Sequence, residues 1–175
     1  DGVGEIVKYA CIRDRELFDL LESGEALTPA RLEETVLRCI DCKRGVVERD
    51  EREAGERKLL NFGHTLGHAL ERYYHYEGPT HGCAVAVGMA RITAASEAGG
   101  LTVPGTGERL LRVLKRCGLP ADDPANNAAL LPGVSMDKKR DGVSIDVVIL
   151  REIGDACVYR LPLASLAAFL AQESH

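Results

Sequence analysis

Apolar residues at Val3, Ile6, Val7, Ala10, Leu17, Phe18 and Leu21 recur at helical spacing, so residues 3–22 read as helix. "SGEALTPA" breaks the pattern. Thr28 followed by Pro29 then predicts a new helix, with Pro29 at its first position and Glu33 and Glu34 near its positive end. That helix is expected to bury Leu32, Val36, Leu37, Ile40 and Val47. "DEREAGER" is a charged connection, followed by a second long helix over roughly 57–75 that "YEGPT" ends. A third helix, about 81–98, is rich in Ala, Gly and Val and therefore buried on most sides. "TGERLLRVLKRCGLP" is a further helix with Gly118 and Pro120 as stop signals. After a loop region, "VSIDVVIL" and "ACVYRL" flank "REIGD" as a short β-hairpin, and "LASLAAFLAQ" supplies a last helix. The fold class is mainly α: a single multi-helix domain over residues 1–175 with a small β-hairpin near the C-terminus.

A chain of 175 residues, 45% hydrophobic, is long enough to bury a real core. Its net charge of −5 gives no whole-surface attraction to nucleic acid or anionic membrane. No apolar run approaches the ~20 residues that span a bilayer, and no signal peptide is visible, so a cytoplasmic location is expected. The opening "DGVGEIVKYACI" has no cap or leader and reads as a chain starting at a domain boundary. Six cysteines lie mostly among apolar neighbours and are expected as free thiols; Cys39 and Cys42 spell C-I-D-C, but no second pair follows at zinc-ribbon spacing.

The stretch "NFGHTLGHALE", residues 61–71, sets His64 and His68 one helical turn apart, as in zinc hydrolases, but Thr65 stands where those helices carry a glutamate base. On a continuous helix, Arg57, Asn61, His64 and His68 share one face. Gly63 and Gly67 each cost that helix about 1 kcal/mol relative to Ala, which makes sense where another element or a ligand approaches closely. His81 opens the apolar helix "HGCAVAVGM", from where its ring can point back at the previous one. Two histidines and one carboxylate leave an open position on a metal. Glu5, an acid in an apolar segment with Lys8 one turn on, is a candidate carboxylate, although an ordinary i, i+3 ion pair explains it equally well. Lys43, Arg57 and the "DKK" of 137–139 offer an anion pocket in an otherwise acidic chain. "GVGEIV" lacks the third glycine of a dinucleotide fingerprint, and no strand precedes it.

The blocks "GEIVKYACI", "KRGVVERDEREAGERKLLNFGHTLGHALE", "HGCAVAVGMA" and "MDKK" stand in the order and spacing of the 3-dehydroquinate synthase family, which the chain resembles over nearly its whole length. The resemblance is to the C-terminal, metal-binding helical domain; the family's N-terminal NAD-binding α/β domain is absent from these residues. The family converts 3-deoxy-D-arabino-heptulosonate 7-phosphate, a phosphorylated sugar acid, into 3-dehydroquinate and phosphate in the shikimate pathway. The resemblance implies that Glu5, His64 and His81 hold Zn2+ (or Co2+) and that His68 is an acid–base group. It further implies that Glu53 accepts a proton and that Lys8, of which a catalytic part is also expected, contacts substrate with Lys43, Arg57, Asn61, His64, His81 and one lysine of "DKK", Lys138 or, in preference, Lys139. NAD belongs to the full-length enzyme, a homodimer, and these residues alone are expected to be inactive. One departure is Cys83, where the family commonly has Glu in "HGEAVA". Rival readings are a domain of a 2-deoxy-scyllo-inosose or valiolone-type cyclase, or a non-catalytic metal-binding helical module.

Overall fold

Helix α1 (Gly2–Arg13) and helix α2 (Arg15–Ser23) divide at Asp14 the stretch whose periodicity predicts one helix. The break is local chemistry. Asp14 adopts φ −125°, and its carboxylate caps α2 by accepting from the Leu17 amide at 2.9 Å. Arg38 binds both oxygens of the same carboxylate, at 2.9 and 3.0 Å. The computed structural model describes residues 1–50, 55–138 and 144–172.

Helix α3 (Leu32–Arg49) starts three residues later than Pro29 predicts. Thr28 turns its hydroxyl back onto the Glu25 carbonyl at 2.7 Å, and residues 28–31 form a turn that delivers the chain to Leu32. The buried face is also not the expected one: Leu32, Val36, Leu37 and Ile40 are exposed, Val47 is half-buried, and Thr35, Cys39 and Val46 face inward. Polar anchoring decides this orientation. The Thr35 hydroxyl donates to the Ala26 carbonyl at 2.8 Å, and Arg38 reaches Asp14 and Glu16.

The expected helix over 57–75 is two pieces, a 3-10 helix (Glu56–Asn61) and α4 (His64–Tyr73), separated by Phe62 and Gly63. Gly63 has φ +78°, a conformation that glycine adopts without steric penalty and that no continuous α-helix contains. Helix α5 (His81–Ala98) matches its prediction and is the centre of the domain, packed against α1 and α4. It also packs on α6 (Thr106–Arg116), whose extent agrees with its predicted stop at Gly118.

Helix α7 (Asn127–Lys138) occupies what reads in sequence as loop, so the start of "DKK" is helical. Pro132 lies inside it. Burial of Leu130 and Val134 against α4 offsets the proline, and the Gly133 carbonyl accepts from Arg72 at 2.9 Å. Asn126 caps the helix by accepting from the Ala129 amide at 3.0 Å. The hairpin is antiparallel, β1 (Ser144–Glu152) with β2 (Asp155–Pro162), turning through Gly154 at φ +84°. A 3-10 turn (Leu163–Ser165) leads into α8 (Leu166–Leu170), whose Leu166, Phe169 and Leu170 are buried. No helix among the described residues is long and apolar enough to cross a membrane.

Candidate metal centre

Two glycine crossings set the positions of the functional helices. A Cβ on Gly4 of α1 would lie 2.7 Å from the Gly82 carbonyl oxygen of α5, so α1 and α5 touch backbone to backbone beside Glu5 and His81. At the second crossing a Cβ on Gly88 would fall 2.0 Å from the Gly63 carbonyl oxygen. Side chains of any size would separate these helices. The glycines that weaken "NFGHTLGH" as a helix are thus the ones that let α4 approach α5.

Glu5, His64 and His81 each offer a ligand atom within 4.8 Å of the others, from α1, α4 and α5 respectively. His64 Nε2 is 3.7 Å from Glu5 Oε1, and the His64 and His81 ring centroids are 5.2 Å apart. The Phe62 carbonyl 3.1 Å from His64 Nδ1 can only accept, so Nδ1 carries the proton and Nε2 keeps its lone pair. Burial first, and the Lys8 charge second, push the His64 imidazole down to about 4, so the ring is neutral at pH 7 and available as a ligand.

Glu5 is divided between two tasks. Its Oε2 accepts from Lys8 Nζ at 2.7 Å, while Oε1 is buried with no hydrogen-bond partner among the described residues. A buried carboxylate oxygen without a partner is costly, and a cation between it and the two imidazoles would satisfy it. The oxygen and nitrogen donors suit zinc or cobalt. The residues present therefore fit a divalent metal.

Lys8 is only 3% exposed; burial lowers its pKa, while the Glu5 carboxylate works in the opposite direction. Lys43, exposed on α3, is close enough for its charge to act on Lys8. His68 joins the cluster, its ring 5.4 Å from His64 and 5.9 Å from His81. Arg57 and Asn61 sit on the 3-10 helix before α4, half-buried and exposed. They do not continue the His64–His68 face on one helix, because Gly63 turns the chain between them. Asp50 Oδ2 fixes the start of this segment by accepting from the Gly55 and Arg57 amides at 2.7 and 2.9 Å. Glu53 and Lys139 lie outside the described residues. All six cysteines are free, and Cys83 is half-buried on the first turn of α5. Glu71 was not predicted as part of the site, yet its Oε1 is 3.0 Å from His81 Nδ1. Its signal in the sequence is a carboxylate three positions after His68, on the same helical face.

Comparison with known proteins adds relatives to this geometry. The family model described as 3-dehydroquinate synthase C-terminal matches residues 2–140. The 3-dehydroquinate synthase of Clostridium perfringens (strain 13 / Type A) is 43% identical over 162 residues, covering 91% of this chain and 46% of that protein. That of Clostridium kluyveri is 36% identical over 176 residues, covering 99% and 49%. Among solved structures, 2-epi-5-epi-valiolone synthase from Streptomyces hygroscopicus subsp. jinggangensis 5008, with NAD+ and Zn2+ bound, superposes with a TM-score of 0.81 at 28% identity, over 97% of this chain and 49% of that one. A 2-deoxy-scyllo-inosose synthase, complexed with carbaglucose-6-phosphate, NAD+ and Co2+, shares the fold with a TM-score of 0.77 at 23% identity, over 99% and 52%. The chain spans about half the length of the curated relatives it matches.

Proposed function

The chain belongs to the 3-dehydroquinate synthase C-terminal family, and on that premise we propose that it is the metal- and substrate-binding domain of a cytoplasmic 3-dehydroquinate synthase, a carbon–oxygen lyase. The reaction converts 3-deoxy-D-arabino-heptulosonate 7-phosphate into 3-dehydroquinate and phosphate. The observation that carries this reading is the convergence of Glu5, His64 and His81, with Glu5 Oε1 buried and unsatisfied beside them.

Glu5, His64 and His81 would hold a divalent metal, which supplies Lewis-acid polarisation of a substrate hydroxyl. NAD would be bound by the portion of the protein outside these residues and supplies the hydride acceptor; full-length copies pair as a homodimer. The substrate carries a carboxylate and a phosphate, and Lys8, Lys43, Arg57 and Lys139 are the cations that clamp them. Lys8 is the most constrained of these, buried and held by Glu5, so it positions one anionic or hydroxyl group at a fixed distance from the metal ligands. Asn61 offers an amide for a substrate hydroxyl. His68, free of the Glu5–His64–His81 set, moves a proton at a ring nitrogen, and Glu53 accepts one. No metal-bound water has to attack, so Thr65 in place of a glutamate base is no defect.

The longer protein that carries these residues, supplied with NAD and zinc, is expected to release phosphate from 3-deoxy-D-arabino-heptulosonate 7-phosphate. The 175 residues alone are expected to release none, because the hydride acceptor is held elsewhere. Turnover only of substrates of the valiolone or deoxy-inosose synthases would reassign the chain within the cyclases. Metal binding with no turnover of any of them would leave a non-catalytic module.

A further inference from the structure

Glu71 lies on α4 seven residues beyond His64 and three beyond His68, so all three share one face toward the start of α5. Its side chain is 14% exposed, and Oε1 is 3.0 Å from His81 Nδ1. His68, Glu71 and His81 also bring ligand atoms within 4.8 Å of one another. Glu71 is therefore either a ligand in a second cation site or the group that holds His81.

The atoms favour the second role. At 3.0 Å a carboxylate oxygen and a ring nitrogen share a proton, and a neutral imidazole has one to give. That places the proton on Nδ1 of His81 and the lone pair on Nε2. His64 is arranged the same way, with Nδ1 on the Phe62 carbonyl and Nε2 toward Glu5. Ligation by Glu71 and Nδ1 together would remove the proton that joins them. The side chain of His81 is 41% exposed at the first position of α5, with the His64 and His68 rings 5.2 and 5.9 Å from its own. The Glu71 hydrogen bond is the directional contact on that ring.

We propose that Glu71 is a positioning residue that locks the ring of His81 with Nε2 turned toward Glu5 and His64, so that the metal centre is assembled before metal arrives. The proposal rests on the metal-site reading above. Such acceptors behind ligand histidines typically change metal affinity about 10–100-fold.

The test titrates Zn2+ against metal-free protein in chelator competition, for the native protein and for Glu71→Ala, Glu71→Gln, His68→Ala, His81→Ala and His64→Ala, and reads the His81 tautomer by 15N NMR without metal. Expected is one metal per chain, weakened about 10–100-fold by Glu71→Ala, with most of the loss recovered in Glu71→Gln, whose amide oxygen accepts the same hydrogen bond. The Nδ1–H tautomer of His81 should dominate in the native protein and become mixed in Glu71→Ala. Native affinity in Glu71→Ala alongside a weakened His81→Ala overturns the proposal and leaves the metal site standing. Glu71→Gln as weak as Glu71→Ala, with His68→Ala equally weak, makes Glu71 a ligand and overturns it too. Undiminished binding in both His64→Ala and His81→Ala sinks the metal site itself, and the tautomer alone then decides whether Glu71 governs the ring.

Discussion

His64 Nε2 stands 3.7 Å from an oxygen of Glu5 that accepts no hydrogen bond among the described residues, while the other oxygen of that carboxylate is 2.7 Å from Lys8. One carboxylate thus joins a buried ammonium to a neutral imidazole. On the proposed metal-site reading, a cation bound beside Glu5 would also act on Lys8.

Zinc at about 100 times its Kd should therefore stabilise the folded chain by about 2.7 kcal/mol, which for a domain of this size raises Tm by about 5–10 °C. Chelator should reverse the rise. Glu5→Ala and His64→Ala should show almost none of it in calorimetry at equal zinc.

Gly88→Ala should be disproportionately harmful for one methyl group. The added Cβ would lie 2.0 Å from the Gly63 carbonyl oxygen, a backbone atom that cannot rotate away. A loss of about 3 kcal/mol in urea unfolding is expected, together with weaker zinc binding, because α4 must move off α5. Ala90→Gly, on the same helix but outside the crossing, should keep its zinc affinity.

Acid should weaken the metal-free protein before its carboxylates titrate. His64 is held down to about 4 in the folded state, against about 6.5 when unfolded. Between those values the unfolded chain binds the extra proton, so stability that is complete above about pH 6.5 is lost as pH falls toward 4, by about 2–4 kcal/mol in all. Urea midpoints measured across this window should fall with pH in the native protein and stay flatter in His64→Gln.

Asp146 ties the hairpin to the 3-10 helix before α4, bound by Arg160 at 2.6 Å and by Lys58 at 2.7 Å. Those two cations hold its carboxyl well below the usual carboxylate range. Asp146→Asn should cost about 1–2 kcal/mol of stability by chemical unfolding, since it weakens both charged hydrogen bonds and leaves Lys58 half-buried without its anion.

The parts of the fold that were legible in the sequence are those where local pattern and tertiary packing agree. The Ala-, Gly- and Val-rich run of 81–98 is buried because it is small and apolar on all sides, and the β-branched, apolar runs flanking the "REIGD" turn make the hairpin plain. Helix α3 misled because Thr35 and Arg38 find polar partners on neighbouring elements, and those bonds turn the helix against its own apolar stripe. Pro132 and Gly133 hid α7, although Asn126 before an Ala-Leu run was a usable start signal. At the site, the family's blocks name the residues that converge, Glu5, His64 and His81, but not the turn at Gly63 or the bond from Glu71 to His81. Both depend on where α5 lies relative to α4, which no local spacing encodes.

The contact of Gly63 with Gly88 has a mechanical meaning. Where main chain rests on main chain, no rotamer lies between the two surfaces, so the separation of α4 from α5 behaves as a hard stop. Leucines and valines elsewhere in the core can drift in size and orientation without widening the gap that His64 and His81 face. The aperture is gauged by atoms that every residue shares, which leaves it insensitive to most substitutions and intolerant of change at the glycines of the crossing.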